Sequence, residues 1–267
     1  MSDGGTRHIV FDPAALQTVH ARRTFLSRLA MAAGATALSP LIMKGYGINE
    51  MLAAQAAACN TSEDVNLTDT DILNYALTLE YLESTYYLRA VGTASLPTGA
   101  TVAGIDPDGS GAPGTVPGLS TTTPPAPASF DVVTFVTAVR DHEISHVLGL
   151  QAALSANALA RSGFSFDFKN SYDSAANFLS TAVVLEDTGV SAYLGQAGNI
   201  DDTAILATAG SILGVEAEHA STFRLLTSQT VTPDNAAFDT PMSSAEVLAA
   251  VQATGFITAA PQLPFPK

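Results

Sequence analysis

Two segments of the chain, Glu143-Ile144-Ser145-His146 and Glu216-Ala217-Glu218-His219, each place a glutamate three residues before a histidine. In an α-helix, residues three apart lie on the same face, with Cβ atoms about 5 to 6 Å apart. Each segment can therefore direct a carboxylate and an imidazole to one point. A further glutamate, Glu80 or Glu186, lies upstream of each segment in an apolar stretch. This order occurs twice and predicts four helices that share six inward-facing polar residues.

The two halves of the chain can be aligned on the upstream glutamates. Glu80 then falls on Glu186, and Tyr87 falls on Tyr193, so that each half contains a glutamate, six residues and a tyrosine. The alignment predicts that the halves are equivalent units of one bundle.

Glu83 is a second candidate on the first helix, one turn after Glu80. In the alignment Glu83 falls opposite Gly189, whereas Glu80 falls opposite Glu186. We therefore expect Glu80 to be the inward-facing ligand of this helix and keep Glu83 as the alternative.

The distances to the expected helix ends support one common site. Glu80 lies 12 residues before Gly92, and Glu143 lies 14 residues after Ser129. At 1.5 Å per residue, both glutamates lie roughly 18 to 21 Å from the same end of an antiparallel pair. In the second half, Glu186 lies 12 residues before Gly198, and Glu216 lies 14 residues after Asp202. All four glutamates can therefore meet in one layer.

Composition and charge narrow the class of protein. The chain has 267 residues, of which 47% are hydrophobic and 13% charged, enough for a sizeable core in one domain with appendages. The net charge of −14 argues against nucleic acid as a partner, because nucleic-acid binding needs a basic face. The single cysteine, Cys59, excludes a disulfide framework and a rubredoxin-type iron centre.

The first 58 residues are expected to form an export leader and linker. Arg22-Arg23-Thr24-Phe25-Leu26 precedes an apolar run over residues 29–43, which is typical of a twin-arginine signal. Ala54-Gln55-Ala56 is a candidate cleavage site, and a lipid anchor on Cys59 or an ordinary amphipathic helix are the disfavoured alternatives. The leader predicts a periplasmic or cell-envelope location, with the export machinery as a partner. That route carries folded proteins, often with the cofactor already inserted.

Apolar residues at three- and four-residue steps predict a bundle over residues 59–230. Its four helices are expected at about residues 68–92, 129–160, 172–197 and 202–228. Thr68 with Asp71 offers a capping arrangement for the first helix. Ser129 is the expected N-cap of the second helix, and Asp201 or Asp202 that of the fourth.

The segment 95–128 between the first two helices is rich in Gly, Pro, Ser and Thr and is expected to be a surface loop. Glu80 and Glu143 are 63 residues apart, against 30 for Glu186 and Glu216, so the first half carries about 33 extra residues. A calcium loop starting at Asp106 is disfavoured, because its twelfth position would be a proline.

Aromatic residues follow the second helix, and a tail follows the fourth. Phe164, Phe166 and Phe168 are expected to close one end of the bundle or to pack on a neighbouring subunit. The tail, residues 231–267, contains a short predicted helix over residues 243–253 and should wrap the bundle or an oligomer partner. A homo-oligomer is therefore compatible with the sequence.

The ligand pattern resembles that of the ferritin-like superfamily, where two helices give one Glu each and two give Glu-x-x-His. The stretches 71–83 and 213–220 are similar to the opening and closing motifs of an exported ferritin-like domain family that includes desiccation-related proteins. The resemblance implies an all-α, antiparallel four-helix bundle with a long crossover, a possible di-metal centre and an association with stress.

The expected metal ligands are Glu80, Glu143, His146, Glu186, Glu216 and His219. Carboxylates and imidazoles suit two iron or two manganese ions. We expect Glu143 and Glu216 to bridge the ions. Tyr87 and Tyr193 are expected at the edge of the site, where core packing is the favoured role and a bond to a ligand the alternative. Glu83 is a further candidate for contact with ligands. Asp141, His142, Asp187 and Glu218 are expected either to be exposed or to contact a ligand. His142 should point about 100° away from Glu143 and is not expected to bind metal itself.

Two functions follow. The first is a di-metal oxidoreductase that acts on dioxygen or peroxide, in the manner of a ferroxidase or a catalase. The second is a non-catalytic metal-binding or structural stress protein of the cell envelope. An iron-storing cage is disfavoured, because the leader, the insert and the tail would have to fit a closed shell.

Overall fold

A computed structural model describes residues 67–108, 114–123 and 130–261. The expected leader, its cleavage site and Cys59 lie outside the described residues. The described part contains six α-helices and two short strands. The helices are α1 (Asp69–Val91), α2 (Val102–Ile105), α3 (Val132–Leu154), α4 (Ala175–Gln196), α5 (Thr203–Leu226) and α6 (Ser244–Thr254). The strands are β1 (Ser165–Phe166) and β2 (Ile257–Ala259).

Helix α1 begins and ends where the sequence predicts. The Thr68 hydroxyl accepts a hydrogen bond from the Asp71 amide, and the Asp71 carboxylate accepts one from the Thr68 amide. These two bonds satisfy amides that the first helical turn leaves free. Gly92, with a φ of 83°, ends the helix in a conformation that side chains rarely adopt.

Helix α1 is the central helix of the bundle. Eighteen of its 23 residues are buried, including polar residues on several sides of the helix. A surface helix buries only one stripe, so this burial means that other parts of the chain cover α1 all round. The glutamates on α1 are therefore held away from water.

Helices α1 and α3 are antiparallel. Asn74, near the start of α1, bonds to the backbone of Asn157 and Leu159 just after α3, whereas Gly92 accepts a bond from Arg140 in the first half of α3. Helices α4 and α5 are joined by a short turn, and the side chain of Asp202 caps α5. The four long helices thus pack as a bundle, which confirms the predicted fold class.

The second bundle helix starts later and ends earlier than predicted. Asp131 is its N-cap and accepts a bond from the Thr134 amide at 2.6 Å, so the Ser129 prediction is wrong. Asp and Ser are both good caps, and the sequence offers both within three residues. The helix ends at Leu154, and two 3₁₀ turns continue the chain to Gly163.

The insert is not wholly a surface loop. Ile105, Val116 and Leu119 are buried and join the hydrophobic core. Asp106 is also buried, and its carboxylate accepts two bonds of 2.8 Å from the Arg89 guanidinium. A few anchoring side chains are enough to hold a loop that is otherwise poor in apolar residues.

The aromatic crossover and the tail fold together on the same chain. Phe164, Phe166 and Phe168 are buried, and β1 pairs with β2 of the tail in an antiparallel two-stranded sheet. The rings and the tail were expected to pack either on their own bundle or on a neighbouring subunit. In the described residues they pack on their own chain. No helix in the described ranges is both long and apolar enough to cross a membrane.

Candidate metal centre

All six residues of the repeated pattern meet inside the bundle. Their donor atoms form two overlapping groups, and the atoms in each group lie within 4.8 Å of one another. The first group contains Glu80, Glu143, His146 and Glu216; the second contains Glu143, Glu186, Glu216 and His219. Glu143 and Glu216 belong to both groups. These are the two residues that the sequence assigned to a bridging position.

Each histidine directs its Nδ1 atom at the glutamates. His146 Nδ1 lies 3.2 Å from Glu80, 3.1 Å from Glu143 and 3.2 Å from Glu216. His219 Nδ1 lies 3.0 Å from Glu143 and 3.1 Å from Glu186. One nitrogen cannot satisfy two or three carboxylates with a single proton, so this arrangement suits a cation at each nitrogen better than a hydrogen bond.

Three carboxylate oxygens of the shared glutamates are buried without a hydrogen-bond partner. Among the described residues, these oxygens are Glu143 Oε1 and both oxygens of Glu216. His219 lies at ion-pair distance from Glu143, and His146 lies at ion-pair distance from Glu216. An unsatisfied buried carboxylate oxygen is costly, and metal coordination is one of the few ways to offset that cost. The residues present therefore fit metal ions.

The upstream glutamates are bonded to tyrosines across the bundle. Tyr87 of α1 donates to Glu186 of α4, and Tyr193 of α4 donates to Glu80 of α1. The rings of both tyrosines belong to the buried core, as expected, and their hydroxyl groups also bond to expected ligands. The six-residue spacing predicted that they lie near the site, but their partners depend on how α1 and α4 face each other.

Glu83 is a fifth buried carboxylate beside the cluster. A Cβ atom added to Gly189 would lie 3.4 Å from Glu83 Oε1 and 2.9 Å from Glu216 Oε2. The absence of a side chain at Gly189 thus leaves room for both glutamates. The alignment of Glu83 with Gly189 has a physical counterpart, because the two residues lie against each other in the bundle.

His142 contacts the site, although its direction on α3 argued against a role as a metal ligand. Its Nδ1 atom lies 2.9 Å from Nε2 of His219. The side chain of His142 rotates away from Glu143 as expected, but α5 brings His219 to it. A single-helix argument cannot find this contact.

Asp187, in contrast, lies apart from the cluster. Its carboxylate accepts a bond of 2.9 Å from Nε of Arg224 and a second from the other end of the same guanidinium. Asp187, one of the candidates for contact with a ligand, is therefore bonded to Arg224 and is not among the clustered donors. It follows Glu186 in sequence, and adjacent residues on a helix point in different directions.

Burial and mutual repulsion govern the charges of the glutamates. Burial raises the pKa of Glu80 to about 7, against the opposing pull of His146. Burial, and then repulsion by neighbouring glutamates, holds the pKa of Glu83 and of Glu216 well above the usual range. Glu143 differs: burial would raise its pKa, but bonds from His146 and His219 outweigh burial and lower it.

The neighbouring glutamates raise the pKa of both histidines in the cluster. Burial would lower the pKa of His219, but Glu186 and Glu143 raise it to about 11. The pKa of His146 is likewise raised, by Glu80 and then by Glu143, against the effect of burial. Without metal, the cluster therefore holds protons on both imidazoles and on some carboxylates. Divalent cations would displace those protons.

A comparison with protein-family models gives one match, to the ferritin-like domain, over residues 68–229. No curated protein matches the chain. The matched range is more than half of the 267 residues and contains all four long helices and the whole cluster. The chain therefore belongs to the ferritin-like domain family.

Proposed function

We propose that the protein binds two iron or two manganese ions in this cluster and uses them in redox chemistry on dioxygen or peroxide. The observation that carries the proposal is the pair of overlapping donor groups, which share two glutamates with three buried oxygens that lack hydrogen-bond partners. Two ions with shared carboxylates would use every donor in the cluster, whereas one ion would leave a glutamate and a histidine uncoordinated.

The donor set defines the class of metal. Carboxylate oxygens and imidazole nitrogens suit iron and manganese, and thiolates, which soft metals prefer, are absent from the cluster. Four glutamates balance the charge of two divalent ions. Such ions would supply the electrons that dioxygen or peroxide takes up.

The protein residues have separate roles in this proposal. Glu143 and Glu216 would hold both ions, and each histidine with its upstream glutamate would hold one. Tyr87 and Tyr193 fix the orientation of Glu186 and Glu80 by hydrogen bonds. The buried surroundings exclude water from the carboxylates and strengthen their attraction for cations.

The location and the biological setting are part of the proposal. The twin-arginine pattern of residues 22–26 supports export to the periplasm or cell envelope with metal already inserted, and the similarity to desiccation-related proteins supports a role under stress. Cleavage of the leader can be tested by N-terminal sequencing of the exported protein.

The experiment that tests the proposal compares two substitutions on α5, one inside the cluster and one outside. Glu216→Gln removes a charge from the cluster, whereas Glu218→Gln changes an exposed residue two positions away. We expect about two iron or manganese ions per chain in the wild type and in the Glu218 variant, and fewer than one in the Glu216 variant. Metal analysis of purified protein measures this.

Turnover is tested on the same proteins. The wild type, loaded with iron or manganese, should oxidise added ferrous iron or consume peroxide, and the Glu216→Gln variant should lose most of that activity. A wild type that binds no metal would refute the proposal. Two bound metals without either activity would instead favour a non-catalytic metal-binding protein.

A further inference from the structure

The internal repeat is broken beside one of the two histidines. When Glu143 is aligned with Glu216 and His146 with His219, His142 falls opposite Val215. The first half therefore carries a polar, hydrogen-bonding side chain at a position where the second half carries an apolar one. The two halves of the cluster are not chemically equivalent.

The contact between His142 and His219 is a directed hydrogen bond. The two rings are nearly parallel, at 9°, and their centroids are 5.2 Å apart. That separation is close to the N···N distance of 2.9 Å plus the two ring radii, so the rings meet edge to edge in one plane and not face to face. This is the geometry of an in-line N–H···N bond.

The bond fixes the function of each nitrogen of His219. Its Nδ1 atom faces Glu143 and Glu186, and its Nε2 atom faces His142. A histidine that binds metal through Nδ1 carries its proton on Nε2, and the partner of that proton orients the ring. His142 Nδ1 would accept this proton.

His146 lacks such a partner in the described residues. Its hydrogen bonds are made by Nδ1, and they go to Glu80 and Glu143 within the cluster. The ring of His146 is thus oriented only by the carboxylates that would share the metal with it.

On the basis of the proposed di-metal function, we propose that His142 is a positioning residue for His219, and that it makes the metal position of Glu186 and His219 the tighter of the two. This position fills first when metal is limiting. The position of Glu80 and His146 fills second.

Titration of metal-free protein with Co²⁺, followed by visible absorption and by calorimetry, tests this inference. We expect two binding steps of unequal affinity. Glu186→Gln should remove the tighter step, and Glu80→Gln should remove the weaker one. The opposite assignment, or two equal steps, would overturn the inference and leave the di-metal proposal intact. No binding at all would instead refute the di-metal proposal.

Substitution of His142 tests the residue itself. His142→Ala should weaken the tighter step by about 10- to 100-fold and leave the weaker step unchanged. His142→Asn should recover part of the affinity, because its amide oxygen can accept the same bond. Ser145→Ala is the matched control, since this exposed α3 residue bonds only to the backbone of Asp141.

Folding must be separated from positioning. His142 is exposed, so the thermal midpoint of the metal-free His142→Ala variant should equal that of the wild type. An unchanged tighter step in a folded His142→Ala variant would overturn the inference. A comparable loss at both steps would also overturn it, because a positioning role concerns one metal only.

Discussion

At the scale of single residues, Gly189 shows how a missing side chain shapes the site. A methyl group there would lie 2.9 Å from an unsatisfied oxygen of Glu216, a distance that Cβ atoms do not normally tolerate. Gly189 lies in α4, where alanine would otherwise favour the helix. Glycine at this position therefore costs helix stability but leaves room for the carboxylates of the cluster.

We predict that Gly189→Ala weakens metal binding at least tenfold, because Glu216 would have to move away from the position in which, on the proposed function, it would hold both ions. Gly149→Ala is the control, since nothing lies within 4 Å of a Cβ at this helical position. It should stabilise the protein by up to about 1 kcal/mol and leave metal binding unchanged. Equal metal affinity in the two variants would contradict the prediction.

The crossed tyrosines allow a second residue-scale prediction. Tyr87→Phe and Tyr193→Phe keep the buried rings but remove the bonds to Glu186 and Glu80. Each variant should lose about 1 kcal/mol of stability and bind one of the two metals less tightly. Thermal unfolding and metal titration measure these effects. Unchanged metal titrations in both variants would show that the tyrosines serve packing alone.

The six clustered residues could be predicted because a helix fixes the spacing of Glu-x-x-His and the repeat fixes the heights of all four glutamates. The contact of His142 with His219 could not be predicted, because it depends on the rotation of α5 about its own axis. The partner of Asp187 could not be predicted either, because Arg224 lies on a different helix, α5.

At the scale of elements, the tail is fitted closely to α4. The Met242 amide donates to Ser191, and the Met242 carbonyl lies 1.8 Å from where a Cβ on Gly195 would be. The chain after Met242 enters α6 through a capping box of Ser243 and Glu246. Close backbone contact at Gly195 thus sets the position of α6.

Gly195→Ala should therefore displace the tail. We expect a loss of about 1 to 3 kcal/mol in the free energy of unfolding, because a carbonyl group on the backbone cannot move aside as a side-chain end can. Chemical denaturation measures the loss, and Gly149→Ala again serves as the control. Stability equal to that of the wild type would show that α6 is loosely attached.

The sequence predicted the long helices better than the parts between them. Periodicity locates a helix, but it does not decide between two good capping residues such as Ser129 and Asp131. The pairing of β1 with β2 was not predicted, because strands of two and three residues carry no periodic signal. The buried side chains of the insert, such as Ile105, are too few to show in its composition.

At the scale of the whole molecule, the pKa shifts predict an effect of pH on stability. The folded pKa of Glu80, about 7, is above its usual value of 4.5. The stabilisation linked to this raised pKa is fully present below pH 4.5 and is lost as the pH rises through about 7. Glu80 alone should therefore lower the free energy of unfolding of the metal-free protein by up to about 3 kcal/mol between about pH 5 and pH 8.

Metal reverses the trend, because ions bind the deprotonated carboxylates more tightly as pH rises. Urea unfolding of metal-free and metal-loaded protein over this pH range measures both effects. The metal-free Glu80→Gln variant should show a smaller loss than the metal-free wild type. Stability of the metal-free wild type that does not change with pH would contradict the assigned charges.

The enclosure of α1 has a consequence for exchange of its backbone amides with deuterated water. A helix covered on all sides exposes its amides only when the elements around it separate, whereas α5, which has an open outer face, can open locally. Exchange in the middle of α1 should therefore occur at the free energy of global unfolding. A few amides near Glu80 would then report how strongly bound metal stabilises the entire domain.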